Sequence, residues 1–215
     1  MIVKGDCEVD FLNYLIDRFG YNEPILSGEI YFDGYSKPWI NKELGKLCEI
    51  GDIIRFEKGV YYVPKSTILG PLKLNPLKVI DKKYIADKDV QNGYYSGATF
   101  LNQIGLSDQV PNIVELYTNN ERSKVREVAV GTVRVLLRKS RVKIDKTNAP
   151  VQSFLELMNS MPVSFFDDEK KQIVNKFIKT NNITRSNITR YASAFPDKAM
   201  RTLIESEIIY DVSAR

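Results

Sequence analysis

Apolar and polar positions alternate with two different periods along this chain, and the change of period is sharpest between Lys37 and Pro64. From Lys37 to Glu49, Ile40, Leu44, Leu47 and Cys48 recur at helical spacing, while Asn41, Lys42 and Lys46 fall off that stripe. Residues 53–63 then read as two short β-rich segments around Lys58-Gly59, a turn where glycine takes a positive φ. Upstream, the spacing predicts a helix over residues 6–19, with Leu12, Leu15, Ile16 and Phe19 on one face and Gly20 as its stop. A short helix is predicted over 25–31, then a turn at Asp33-Gly34-Tyr35-Ser36. Ser36 caps the next helix and Pro38 suits its first turn. Helix, helix, turn, helix and hairpin in that order make residues 1–68 a winged helix-turn-helix domain.

Residues 69–76, with Gly70, Pro71 and Pro76, read as a linker to a second domain over 77–215. There the pattern predicts a helix over 77–85, a turn at Gln91-Asn92-Gly93 and a helix over 96–104. A strand over 113–118 and a turn at Asn119-Asn120 follow. Residues 125–144 are the clearest β region, because Val133, Val135 and Leu137 alternate with Arg134, Leu136 and Arg138. Helices are expected over 151–159, 168–180, 186–194 and 197–206, the second with Asp167, Asp168 and Glu169 at its N-terminus. The expected fold class is α+β: an N-terminal winged helix-turn-helix, then a larger mixed α/β domain with a helical C-terminal part.

Composition narrows the chemistry more than it names it. The chain has 215 residues, 43% of them hydrophobic and 27% charged, which is ordinary for a globular protein. No apolar run is long enough to span a bilayer, and the N-terminus lacks the apolar core of a signal peptide, so a cytoplasmic protein with no membrane partner is expected. Cys7 and Cys48 read as reduced, partly buried thiols. The chain contains no histidine, which removes Ser-His-Asp and Cys-His nucleophiles and every histidine-liganded metal centre. Neither a Gly-x-x-x-x-Gly-Lys-Ser/Thr nor a Gly-x-Gly-x-x-Gly loop is present. No catalytic residue, cofactor or metal is therefore expected; a carboxylate-dependent nuclease survives the histidine cut but shows no recognisable spacing.

Charge is unevenly spread. Residues 1–35 carry two basic side chains against seven acidic ones, residues 36–65 six against four, and residues 122–146 nine against two, within a net charge of +4. In the helix from Lys37, Lys42 and Lys46 are four apart and share a side, Asn41 flanks them, and Gly45 between them allows close approach to a groove wall. Lys37, Asn41, Lys42 and Lys46, with Arg55 and Lys58 of the hairpin, are the candidate DNA contacts; a plain solvated helix face is the alternative. Trp39 is either an edge of the core or a surface aromatic, and of Tyr61 and Tyr62, on opposite faces, one belongs to the core. A second basic surface comprises Arg134, Arg138, Lys139, Arg141 and Lys143. It reads as a solvated sheet face, a second phosphate-binding surface or a dock for an acidic partner, with Glu115, Glu121, Glu127 and Asp145 near enough to satisfy it.

Two blocks resemble a known family. Gly59-Val60-Tyr61-Tyr62-Val63-Pro64 is similar to the "rGvYyvP" wing of abortive-infection AbiEi-type antitoxins. Ser96-Gly97-Ala98-Thr99-Phe100-Leu101-Asn102-Gln103-Ile104-Gly105-Leu106-Ser107-Asp108-Gln109-Val110-Pro111 resembles that family's second signature, "sG-x-tALn-x-lGLs-x-Q-x-P". The resemblance implies a two-domain regulator of a type IV toxin–antitoxin system. Its winged helix would bind double-stranded DNA at inverted repeats upstream of its own operon. Its C-terminal domain would support cooperative repression and counteract a nucleotidyltransferase-like toxin. Within the second block Gly97, Gly105 and Pro111 are expected at turns and close packing, and Gln109 is expected to satisfy backbone groups. The reading from a different class is a protein-interaction module, in which the winged helix and the basic C-terminal surface dock a protein rather than DNA.

Overall fold

The computed structural model describes residues 4–213, with helical side chains described from Asp10 onward, so Cys7 lies outside the described side chains. The chain is mixed α+β and divides into two compact units, Met1–Val79 and Ile80–Arg215.

In the first unit, helix α1 (Lys4–Phe19) ends at Gly20, whose N–H reaches the Ile16 carbonyl at 2.8 Å. Strand β1 (Ile25–Leu26) and a single 3-10 turn (Ser27–Glu29) come next, in place of the helix expected over 25–31. Pairing explains the difference. Ile25 and Leu26 lie opposite Tyr61 and Val60, and the Glu29 carboxylate accepts the Leu26 N–H at 2.8 Å, which closes one turn and no more. Helix α2 (Lys37–Ile50) follows, capped by the Ser36 hydroxyl, which accepts the Trp39 N–H, and stopped at Gly51. Strands β2 (Ile54–Glu57) and β3 (Val60–Tyr62) form a hairpin around Gly59, at φ 77°, a conformation that costs glycine little. The three-stranded antiparallel sheet runs β1-β3-β2.

The core beneath α2 joins Phe11, Leu15, Ile25, Ile30, Ile40, Leu44, Leu47, Ile53 and Val63. The expected stripe of α2 is thus buried at Ile40, Leu44 and Leu47, with Cys48 half-buried at its margin. Trp39 is an edge of this core, stacked on Phe32 at 5.9 Å and against Tyr35 at 3.9 Å between ring centroids. Tyr62 is buried, while Tyr61 is half-buried against the same cluster.

Residues 66–71 form a second hairpin, β4 (Ser66–Thr67) and β5 (Gly70–Pro71), across the boundary expected between the first domain and its linker. Asn22 ties its base down: the side-chain oxygen accepts the Lys65 N–H at 2.7 Å, and the side-chain nitrogen donates to the Leu72 and Lys73 carbonyls. Helix α3 (Pro76–Ile80) then leads into one π-helical turn, Asp81–Ile85.

The second unit is built on a sheet of order β10-β11-β9-β8, in which β11 runs parallel to β9 and the other neighbours are antiparallel. Its strands are β8 (Gly93–Tyr95), β9 (Ile113–Thr118), β10 (Val125–Val130) and β11 (Val133–Lys139), preceded by the hairpin of β6 (Ala86–Asp87) and β7 (Val90–Gln91). The expected turn at 91–93 is displaced: the chain turns between β6 and β7, and Gly93 opens β8. A Cβ at Gly93 would sit 2.2 Å from the Tyr84 carbonyl oxygen and 2.6 Å from that of Tyr117, so close backbone approach requires glycine there.

Helix α4 (Gly97–Ile104) lies between β8 and β9. Helices α5 (Ala149–Ser160), α6 (Asp168–Thr180), α7 (Arg185–Ala192) and α8 (Asp197–Glu205) form the C-terminal part expected from their spacing. They share a core around Phe154, Leu155, Met158, Val174, Ile188 and Leu203, to which α4 adds Phe100. Gln109 is exposed, and its backbone N–H, not its side chain, engages Ser107, because the loop carrying it runs along the surface.

Candidate nucleic-acid interface

Burial of Ile40, Leu44 and Leu47 turns the opposite side of α2 outward, and Lys37, Asn41, Lys42, Gly45 and Glu49 are exposed there. Gly45 is the informative position. Among the described residues a Cβ built on it meets nothing within 4 Å, so no packing among them calls for glycine in the middle of this helix.

Lys46 stands differently from Lys42. It is half-buried, and its ammonium lies 2.7 Å from the carboxylate of Glu43, an acid buried against the core side. A buried charge needs a counter-ion, so part of the positive charge of Lys46 is spent inside the unit. The second carboxylate oxygen of Glu43 has no hydrogen-bond partner among the described residues.

Strand β2 lies beside the last turn of α2. The Cys48 thiol is pushed up by burial, against the opposing pull of the Arg55 charge and backbone N–H. Arg55 and Lys58 are both exposed, on β2 and at the hairpin turn. The Arg55 side of the hairpin therefore adjoins the C-terminal end of the helix that carries Asn41 and Lys42.

Pattern reading missed a further set of cations. From Lys58 to Ile80 there is no acidic residue, while Lys58, Lys65, Lys73 and Lys78 are spread along the run. Lys78 is committed to Glu23, whereas Lys65 and Lys73 flank the second hairpin and are exposed. The acid-free run was visible in the sequence, but a linker assignment gave it no shape.

In the second unit the expected alternation holds: Val135 and Leu137 are buried, and Arg134, Leu136 and Arg138 share the other face of β11. Register then pairs most of that face. Arg134 meets Glu127 at 2.7 Å and Arg138 meets Glu115 at 3.4 Å, while Arg141, beyond the strand, meets Glu156 at 3.3 Å. Glu121 is buried and accepts N–H groups of Arg122, Ser123 and Arg126, which hold its carboxyl below the usual carboxylate range. Asp145 closes its own turn onto Thr147 and Asn148. Lys139 and Lys143 are exposed.

The sequence of residues 24–185 matches the model of a family described as "Family of unknown function (DUF6088)". The chain belongs to that family. No curated protein matches it. The DUF6088 match takes in α2, both hairpins of the first unit and the whole four-stranded sheet, so both basic surfaces lie within it.

Among the described residues no group of three or more Cys, Asp or Glu side chains could hold a metal ion. No helix of those residues is long and apolar enough to cross a membrane. The first unit offers exposed amide and ammonium donors on a helix with an open glycine beside them, followed by a cationic hairpin. Donors of those kinds are the chemistry by which proteins hydrogen-bond base edges and neutralise phosphates.

Proposed function

We propose that this protein is a DNA-binding transcriptional autorepressor whose first unit is a winged helix-turn-helix, and that it acts as the antitoxin of a type IV toxin–antitoxin pair. The observation that carries the DNA reading is the exposed face of α2, with Asn41, Lys42 and Gly45, followed directly by the β2–β3 hairpin bearing Arg55 and Lys58. The element order α-β-turn-α-β-β and the sheet order β1-β3-β2 support a winged-helix assignment, with the second helix reduced to the 3-10 turn. In that arrangement α2 enters the major groove and the hairpin contacts the backbone or minor groove.

The antitoxin half of the proposal rests on the resemblance of Gly59–Pro64 and Ser96–Pro111 to AbiEi-type signatures. The expected partners are inverted repeats upstream of its own operon and a nucleotidyltransferase-like toxin, in the cytoplasm. The test is fluorescence anisotropy with the DNA upstream of its own gene. Lys42→Ala/Arg55→Ala should weaken binding about tenfold or more, with a salt slope shallower by about two. Equal binding by wild type and variant would remove α2 and the wing from the interface. Co-expression with the neighbouring gene product tests the antitoxin role: growth rescued by this protein supports it, and unrelieved toxicity, or a neighbour with no toxicity, refutes it.

A second reading is favoured by one observation. Ile68 and Leu69 at the tip of the second hairpin are fully exposed, which suits a protein-docking module. Binding to DNA that is insensitive to salt, together with a stable co-purifying protein, would select it.

A further inference from the structure

Three aligned strands place a cationic hollow on the edge of the second unit. Val125, Arg138 and Tyr117 are register partners across β10, β11 and β9, and the Lys139 N–H bonds the Lys124 carbonyl one step further on. With Arg141 from the following loop, these residues line a hollow of about 140 Å³. It holds four cations, Lys124, Arg138, Lys139 and Arg141. Two carboxylates oppose them, Glu115 at Arg138 and Glu156 at Arg141, so the hollow keeps two positive charges in excess. No carboxylate pairs with Lys124 or Lys139 among the described residues.

Each of the two guanidinium groups is engaged by a carboxylate. Arg141 is held by Glu156 and lies over the Phe195 ring at 5.3 Å, and Arg138 is held by Glu115. Each uses one nitrogen in its ion pair, Nε of Arg141 and Nη2 of Arg138, and keeps further N–H donors. The floor is Tyr117, whose hydroxyl is committed to Glu156 at 3.0 Å. By contrast, the hollow of about 200 Å³ lined by Tyr94, Tyr95, Phe100, Gln103 and Ser153 has no charged lining residue.

We propose that the Lys124–Arg138–Lys139–Arg141 hollow is a binding site for the terminal phosphoryl dianion of a small phosphate monoester. Two excess positive charges match a dianion, and a concave site with planar donors fixed on two sides suits a compact tetrahedral group. A phosphodiester backbone carries one charge per phosphate and runs past such a hollow instead of ending in it. The site is built from residues of the second unit alone and shares none with α2.

Isothermal titration of the full chain with adenosine 5′-monophosphate, in about 100 mM salt to suppress non-specific attraction, reads this out. Saturable binding is expected, with inorganic phosphate competing and adenosine failing to bind. Lys124→Ala/Lys139→Ala should weaken it by about tenfold or more, and Lys139→Glu further, while Lys42→Ala leaves it unchanged. Both lysines are exposed and carry no ion pair, so the variants keep the fold, as their melting curves check. No saturable binding up to about 10 mM, or equal binding by wild type and the double variant, overturns the proposal. It is also overturned if the double variant loses affinity for duplex DNA while the monophosphate never binds, because the hollow then follows a diester backbone.

Discussion

Gly45 separates helix stability from groove contact in one substitution. It lies in the interior of α2, where glycine costs about 0.5–1 kcal/mol relative to alanine because it has more backbone freedom to lose. Nothing lies within 4 Å of an added Cβ, so Gly45→Ala carries no overpacking cost. The variant should therefore be more stable by about 0.5–1 kcal/mol, a rise of roughly 2–8 °C in the midpoint of the first unit's transition. If the exposed face of α2 seats against a groove wall, a larger side chain should do the opposite to binding. Gly45→Leu would hold the helix off by the depth of a side chain and forfeit at least one charged contact, about 1.5 kcal/mol or roughly tenfold in affinity. Calorimetry on both variants and anisotropy with the upstream DNA measure the two effects. A fall in melting temperature for Gly45→Ala would refute the open-space argument, and unchanged DNA affinity for Gly45→Leu would refute the seating of α2.

Three further outcomes are expected in the second unit. Gly93→Ala should destabilise it by about 3 kcal/mol in chemical denaturation, because the new Cβ would run into two backbone carbonyls that cannot swing away. Glu121→Gln should cost about 1–3 kcal/mol at neutral pH by weakening contacts to Arg126 and two backbone N–H groups. The Glu121 carboxyl is held low in the fold, so its stabilisation is present above its ordinary value of 4.5 and lost as pH falls through the folded value. Acid melts should accordingly be steeper for wild type than for Glu121→Gln below about pH 4.5. Tyr117 is pushed up to about 12 by burial and by Glu156, so its share of stability is present below 10.0 and lost as pH rises through about 12. Tyr117→Phe should cost about 1–2 kcal/mol at neutral pH and flatten that alkaline decline, read by circular dichroism melts.

Local periodicity was enough for the elements whose pattern is their own. The buried stripe of α2, its Ser36 cap and the hairpin at Gly59 follow from spacing and turn chemistry. The four C-terminal helices follow in the same way. Non-local pairing decided the rest. Ile25 and Leu26 are strand only because β3 lies beside them, and Ser27 bonds the Gly59 carbonyl across the sheet. Gly93 is glycine because of Tyr84 and Tyr117, not because the chain turns there. The arginine face of β11 and the acids able to satisfy it were legible in the sequence, but which arginine meets Glu115 and which Glu127 depends on a parallel neighbour and an antiparallel one that no window of sequence reveals. For the same reason Lys42 and Lys46 look equivalent in sequence, yet only Lys46 answers the buried Glu43.

If the first unit recognises DNA, its binding must weaken steeply as salt rises, because phosphate contacts release counterions. The intact protein is titrated onto the duplex upstream of its own gene, and onto a scrambled duplex, across a range of salt concentrations. Preference for the upstream duplex is expected, with a log–log slope of about −4 or steeper from Lys42, Arg55, Lys58 and the lysines of the second hairpin, and a slope shallower by about one for Lys42→Ala. A flat salt response, or equal affinity for both duplexes in wild type and variant alike, would contradict it.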